Sequence, residues 1–212
     1  MNSKQKVLDC YNKVAEDHAA KTWEESSRKP IDLLLMKEFA ATNKDKGPCA
    51  DFGCGPGRST KFLYDNGLKD IVGIDLSPEM VNEARKLSPE INFETGDLLN
   101  INYSPEHFGS AVAFYSIVHF PIEQVQKCFG EINRVLKTGG DFLFSYHVGK
   151  EIVHFDTAHG KEIDIDLYFF KTDDIIELLH KTGFKVIDAI ERRPNENMSF
   201  PTTRGYIWAE KN

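Results

Sequence analysis

The sequence predicts an α/β fold built on a doubly wound, largely parallel sheet, and three observations carry that prediction. Short apolar runs alternate with helical stretches along most of the chain. A glycine-rich turn, Asp51-Phe52-Gly53-Cys54-Gly55-Pro56-Gly57, sits where the first of those runs gives way to a helix. An acid, Asp75, closes the second run, eighteen residues beyond Gly57. Open sheets of this kind bind ligands in the crevice outside the carboxyl ends of their strands.

The elements follow in order. Val7, Leu8, Tyr11, Val14, Ala15 and His18 recur at helical spacing, and Ile31, Leu34, Leu35 and Phe39 do so again after Pro30, so two helices precede the turn. Cys49 to Phe52 reads as a short buried strand, Ser59 to Asn66 as a helix closed by Gly67, and Ile71 to Asp75 as a second strand, together a βαβ unit. Ser77-Pro78-Glu79 opens the next helix with a serine cap, a proline at the first helical position and an acid in the first turn. Ile91 to Thr95 is a third strand, and Ala111 to Ser116 a fourth, apolar enough to be central in a parallel sheet. A helix over Glu123 to Leu136 stops at Lys137-Thr138-Gly139-Gly140, and Asp141 to Tyr146 makes a fifth strand.

The final third changes character. Between His147 and Lys161 no period is visible, and that is long for a loop, so a lid or substrate-binding insertion is expected over residues 147–166. Ile163, Ile165, Leu167 and Phe169 alternate, Thr172 to Lys181 is helical up to Gly183, and Phe184 to Ile190 and Tyr206 to Ala209 close the chain as a hairpin.

Composition bounds the function. A chain of 212 residues suits one domain over residues 1–212, with residues 1–45 as amino-terminal helices covering the ligand site. The longest apolar runs fall short of a membrane span and the opening MNSKQKVLDC is too polar for a signal peptide, so no membrane association and a cytoplasmic location are expected. Cys10, Cys49, Cys54 and Cys128 contain no C-x-x-C pair, which argues against a zinc ribbon or a dithiol redox centre. Asn-x-Ser matches at Asn102 and Asn197 matter only in a secreted chain. The formal net charge of −7 opposes a broad phosphate-binding surface, so nucleic acid is not expected as a partner. A monomer or a homodimer suits this size.

Glycines crowd the turn because its backbone takes positive φ angles and approaches a ligand with no Cβ in the way, which points to a nucleoside cofactor. A dinucleotide fingerprint reads G-x-G-x-x-G and needs its third glycine at position 58, where Arg58 stands. The turn instead resembles motif I of the class I S-adenosylmethionine-dependent methyltransferases, within a group of small stand-alone bacterial-type members. The resemblance extends through the Tyr11-Asn12-Lys13-Val14-Ala15 segment, Gly96-Asp97-Leu98 after the third strand, and the closing Arg204-Gly205-Tyr206.

That resemblance implies a Rossmann-like, seven-stranded sheet, mostly parallel with an antiparallel last strand and helices on both faces. It implies S-adenosyl-L-methionine as cofactor and S-adenosyl-L-homocysteine as product. Asp51, Gly53, Cys54, Gly55 and Gly57 would shape the methionine site, with Tyr11 and Ser116 beside it. Asp75 would accept from the ribose hydroxyls, Gly96 and Asp97 would meet the adenine edge, and Leu76, Met80 and Leu98 would sandwich its ring. Methyl transfer takes place at the end of the fourth strand in this family. His119 is the candidate general base there, weighed against a purely structural histidine. Tyr115 is placed to face the sulfonium, and His147, His154 and Arg204 to line an acceptor pocket. His147, His154 and His159 with Asp156 match no metal-ligand spacing, so no metal is expected. The expected activity is methyl transfer to an oxygen, nitrogen or carbon of a small molecule by in-line displacement. The alternative is a module that binds the cofactor or its product without transfer.

Overall fold

The computed structural model describes residues 3–25, 29–196 and 200–212, so Asn197 lies outside the described residues. The elements run α1 (Ser3–Glu25), α2 (Pro30–Asn43), β1 (Cys49–Phe52), α3 (Arg58–Asp65), β2 (Ile71–Asp75), α4 (Pro78–Leu87), β3 (Asn92–Thr95) and β4 (Phe108–Phe114). After a 3-10 turn at Ile117–His119 come α5 (Ile122–Val135), β5 (Leu136–His147), β6 (Ile152–Ala158), β7 (Lys161–Tyr168), α6 (Thr172–Lys181), β8 (Phe184–Arg192) and β9 (Arg204–Lys211).

Seven strands form the main sheet in the order β3-β2-β1-β4-β5-β9-β8. Pairing is parallel from β3 to β5, and β9 runs antiparallel between β5 and β8. The closing hairpin therefore folds back so that its last strand enters the sheet ahead of its first. Because β9 is antiparallel, its first residue, Arg204, pairs with His147 at the end of β5. Arg204 thus sits on the edge where the parallel strands end.

Side-chain alternation along the strands divides the core into two layers. Ala50, Val72, Ala111, Ala113, Phe142 and Phe144 pack with Val125, Phe129 and Ile132 of α5 and Ile175 and Leu179 of α6. Their neighbours Cys49, Ile71, Val112 and Leu143 pack instead with Met36 and Phe39 of α2, Leu63 of α3 and Val81 and Ala84 of α4. Each fully buried phenyl ring contributes about 1.5–3 kcal/mol to this core. Both sheet faces are thereby covered, which leaves the strand ends as the open edge.

Two differences from the sequence expectation concern extent. β5 begins at Leu136, so Lys137 to Gly140 lie inside it, and β4 begins at Phe108, three residues before the expected Ala111. The third concerns residues 147–166, expected as a lid or substrate-binding insertion: they contain an ordered hairpin, in which β6 pairs antiparallel with β7 as a separate two-stranded sheet. Its faces are only half-buried: the alternation at Ile163, Ile165 and Leu167 falls on β7, while the β6 sequence shows no clear period. The hairpin packs against α1 and the turn at Ile117–His119, and α1 is tied down through Lys6 to Asp164 (2.7 Å) and Asp17 to Lys161 (2.7 Å). Among the described residues no helix is long and apolar enough to cross a membrane.

Candidate active site

The glycine turn is built from its own backbone and from β2. Gly53, Gly55 and Gly57 have φ of 70°, 54° and 81°, which side-chain-bearing residues rarely adopt. Space adds a second demand at two of them. A Cβ on Gly53 would lie 2.3 Å from Ser116 Cβ, and one on Gly57 would lie 2.7 Å from the Phe93 ring. The Gly53 and Cys54 amides donate to the Ile74 carbonyl, and Gly57 caps α3 in the left-handed conformation.

Two buried carboxylates hold the turn. Asp51 Oδ2 accepts from Ser59 Oγ (2.6 Å) and Thr60 Oγ1 (2.7 Å), locking β1 to the first turn of α3. Burial pushes its pKa up to about 6, with those two hydroxyls pulling the other way. Asp75 accepts from the Gly55 amide (2.8 Å) through Oδ2 and from the Ser77 amide (2.8 Å) through Oδ1. Burial raises its pKa also. Ser77 caps α4 by accepting from the Met80 amide, as its sequence signature predicts.

A cavity of about 310 Å³ opens above this edge. From the glycine turn and β2 it is lined by Gly53, Cys54, Gly55, Asp75, Leu76 and Ser77, and from the segment after β3 by Asp97, Leu98 and Leu99. Asp97 accepts from Lys4 Nζ at 2.7 Å, which brings α1 over the opening. Helix α1 supplies Ser3, Lys4, Val7, Leu8, Tyr11 and His18. Across the edge the lining continues through Tyr115, Ser116, His119, His147, Phe200 and Arg204.

Four of the residues expected at the cofactor do not line the cavity. Asp51 is fully buried beneath the turn and acts on its shape through Ser59 and Thr60. Gly57 faces Phe93, Met80 packs with Val14 and Ala15, and Gly96 donates its amide to the Asp75 carbonyl. On the acceptor side His154 is exposed on β6 and pairs with Asp166, away from the cavity. His159 stacks edge-on against His18, so the three histidines disperse. Among the described residues no group of three or more His, Cys, Asp or Glu is arranged to hold a metal.

The far end of the edge is assembled from distant segments. Tyr115 follows β4 with φ of 57°, an uncommon angle for an aromatic residue and one that stores strain. Its hydroxyl and that of Tyr206 reach Asp32 Oδ1, at 3.3 and 2.6 Å. Asp32, buried on α2, was not anticipated from the sequence, because nothing local distinguishes it from a surface acid in a first helical turn. Arg204, 6% exposed, lies with Cζ 4.7 Å over the Tyr115 ring. It donates to His147 Nε2 (3.1 Å) and to the Phe200 carbonyl (2.8 Å). An arginine only donates, so His147 carries its proton on Nδ1 and gives it to Thr202 Oγ1 (2.7 Å). Burial, with Arg204 beside it, pushes the His147 pKa down to about 2. His119 is also buried, with Nε2 2.8 Å from the Tyr11 hydroxyl and its pKa pushed down to about 4 by burial. Among the described residues, Ser116 Oγ, His119 Nδ1 and Arg204 Nε, all on side chains of residues that line the cavity, are buried with no hydrogen-bond partner.

A glycine cradle joined to paired acids, an apolar cleft and a strand order that switches at β1 is what a nucleoside cofactor requires. A family model described as a methyltransferase domain matches residues 50–140, the span from β1 into β5. An uncharacterized methyltransferase of Oceanobacillus iheyensis is 26% identical over 180 residues, 82% of this chain and 79% of that one. The chain is a methyltransferase, with its domain match spanning residues 50–140. A trans-aconitate 2-methyltransferase of Methylobacterium nodulans is 38% identical over 85 residues, 39% of this methyltransferase and 31% of that enzyme. The magnesium protoporphyrin IX methyltransferase of Synechocystis, crystallised with bound S-adenosylmethionine, shares the fold with a TM-score of 0.76. It is 16% identical and covers 100% of this methyltransferase and 98% of its own chain.

Proposed function

We propose that the protein transfers a methyl group to a small-molecule acceptor held at the Tyr115–His147–Arg204 end of the cavity. The observation that carries this reading is the single cavity whose one end has the glycine turn, Asp75 and Asp97, and whose other end has unpartnered polar atoms of Ser116, His119 and Arg204. Bound there, S-adenosylmethionine supplies an electrophilic methyl on a sulfonium. The Gly53–Gly55 backbone leaves room for the methionine portion, the remaining lone pairs of Asp75 accept from ribose, and Asp97 with Leu76 and Leu98 holds adenine. The relative named for trans-aconitate supports a small acceptor. The formal net charge of −7 supports the same reading by opposing a nucleic-acid acceptor.

Holding nucleophile and methyl in line provides most of the acceleration such a displacement needs. Tyr115 ends β4 beside that line, and α1 closes over it to exclude water. With Nε2 bonded to Tyr11 and its pKa pushed down to about 4, His119 is a weak base. We assign it to positioning Tyr11, and the acceptor atom to one that arrives deprotonated.

Incubating the chain with methyl-labelled S-adenosylmethionine and small-metabolite extracts tests the activity, with a labelled product expected. A chain that binds S-adenosylhomocysteine yet labels nothing in any extract is instead a binding module. Thermal stabilisation by NAD and none by S-adenosylhomocysteine overturns both readings.

A further inference from the structure

The charged groups lining the cavity divide along the sheet edge. Asp75, Asp97, Lys4 and Arg58 lie toward the β1–β3 end, where Lys4 pairs with Asp97, and Arg204 lies at the β5–β9 end. Strands lie about 4.8 Å apart, which puts the β9 position about 14 Å from β1 and its glycine turn. The Arg204 backbone is set apart from the glycine turn, while its guanidinium reaches inward as far as the Tyr115 ring, which follows the β4 strand next to β1.

The environment of Arg204 holds the guanidinium without neutralising it. Among the described residues its donor contacts go to a neutral histidine, His147, and to a backbone carbonyl, that of Phe200. Among the described residues its ion pairs include no carboxylate within 4.0 Å, and its Nε has no partner. Asp32 reaches the same tyrosine that Arg204 covers, but it does so at the Tyr115 hydroxyl and shares its Oδ1 with Tyr206. A buried cation left uncompensated is costly, and it is retained where a ligand supplies the opposite charge. The surroundings are flat: His147 stacks on Phe169 at 4.8 Å and meets Phe200 edge-on at 5.3 Å. Lys29 Nζ adds positive potential 5.1 Å over the Tyr115 ring. One guanidinium among aromatic rings matches a planar, singly charged anion, since its fork and a carboxylate share geometry.

We propose that the acceptor is a carboxylate-bearing small molecule whose anionic group is seated on Arg204 between Tyr115, His147 and Phe200. This rests on the methyl-transfer reading above and names the class of acceptor that reading leaves open. It also accounts for the weak base at His119 when the carboxylate serves not only as the handle but as the nucleophile, since an ionised carboxylate needs no deprotonation. In the latter case a carboxylate oxygen forms a bond to the methyl carbon as the carbon–sulfur bond breaks, giving a methyl ester and neutral thioether with no proton transferred.

The test uses the full chain saturated with S-adenosylhomocysteine. Calorimetric titration with aliphatic and aromatic mono- and dicarboxylates is set beside the primary amide and the phosphate monoester of each skeleton. At least one carboxylate is expected to bind, with its amide and phosphate ester at least about tenfold weaker. Arg204→Gln is expected to weaken that carboxylate about 10- to 100-fold, and Arg204→Lys less, while both bind S-adenosylhomocysteine within about twofold of the parent. The retained cofactor affinity shows that the variants are folded. Acids and amides binding alike, or no acid binding at all, overturns the proposal. Phosphate esters binding best replaces carboxylate by phosphate and overturns the assignment as stated. Equal losses of acid and S-adenosylhomocysteine affinity in Arg204→Gln would mean that Arg204 serves the cofactor's own carboxylate. Failure of the parent chain to bind S-adenosylhomocysteine overturns the methyl-transfer reading itself.

Discussion

The two ends of the cavity are made by different means. At the β1–β2 end the fixing contacts are short in sequence: Asp51 to Ser59 spans 8 residues and Gly55 to Asp75 spans 20. At the β4–β5–β9 end they are long: His147 to Arg204 spans 57 residues, Asp32 to Tyr115 spans 83 and Asp32 to Tyr206 spans 174. The first end is backbone conformation held by acids, and the second is side chains held by one another. The difference teaches that a site for a fixed cofactor can be written locally, whereas the acceptor pocket depends on the completed sheet.

Substituting the glycines strikes the first end hardest. Gly53→Ala and Gly57→Ala each combine a left-handed backbone with a Cβ inside 3 Å of a neighbour, Ser116 in one case and Phe93 in the other. Strain and overpacking together are expected to cost about 2–5 kcal/mol in urea unfolding. Gly55→Ala meets nothing within 4 Å, so only the backbone term of about 1–2 kcal/mol applies. Equal losses at all three positions would show that steric fit plays no part in the turn.

Acidity separates the two ends by sign. Burial raises the folded pKa of Asp51 from 3.8 to about 6, so between those values the folded chain keeps a proton that the unfolded chain has released. Its contribution to stability is therefore fullest below about pH 4 and falls as pH rises through 6, by up to about 3 kcal/mol. His119 and His147 act oppositely. Their folded values lie at about 4 and 2, below the ordinary 6.5, so their contribution grows as pH rises toward 6.5 and is lost on acidification. Asp51→Asn is expected to steepen the rise of stability from pH 4 to 6. His147→Gln, which can still accept from Arg204 and donate to Thr202, is expected to flatten it. Unfolding curves at half-unit pH intervals check both slopes, and parallel profiles for parent and variants would remove these groups from the account.

Ligand binding sharpens the same contrast with a smaller energy. Removing the carboxylate in Asp75→Ala leaves the Gly55 and Ser77 amides without their acceptor and takes away the group assigned to ribose. A loss of about 1.5–3 kcal/mol, roughly 10- to 100-fold, is expected in S-adenosylhomocysteine affinity. Calorimetry showing unchanged affinity would take Asp75 out of the cofactor site.

Legibility in the sequence follows the same division. The helix from Pro78 is readable because its cap, proline and acid are adjacent, and Ser77 does accept from Met80. The glycine turn is readable because positive φ demands a residue type. The antiparallel last strand was expected from the family resemblance, but the insertion of β9 ahead of β8 was not, since alternating elements carry no strand order. Asp32 was missed because its partners, Tyr115 and Tyr206, are brought to it only by the closed fold. The β6–β7 hairpin did leave a local mark: His159 and Gly160 both take positive φ, 52° and 73°, as a two-residue hairpin turn requires. A His-Gly pair is a weaker version of the usual Asn-Gly signal, and although β7 alternates at Ile163, Ile165 and Leu167, the half-wet β6 before the turn has no matching sequence period.

That hairpin supplies the smallest expected effect, and the one that tests where the acceptor end stops. His154 on β6 sits opposite Asp166 on β7, with Nδ1 2.8 Å from Oδ1 and side chains 55% and 35% exposed. An exposed pair of this kind contributes between nothing and about 1 kcal/mol. The hairpin reaches the cavity only indirectly, by backing α1 and the turn that carries His119. His154→Ala is therefore expected to leave S-adenosylhomocysteine affinity and methyl transfer unchanged and to lower unfolding stability only slightly. A large loss of transfer with stability intact would extend the acceptor pocket onto β6. It would also make the hairpin a participant in substrate binding rather than a brace behind α1.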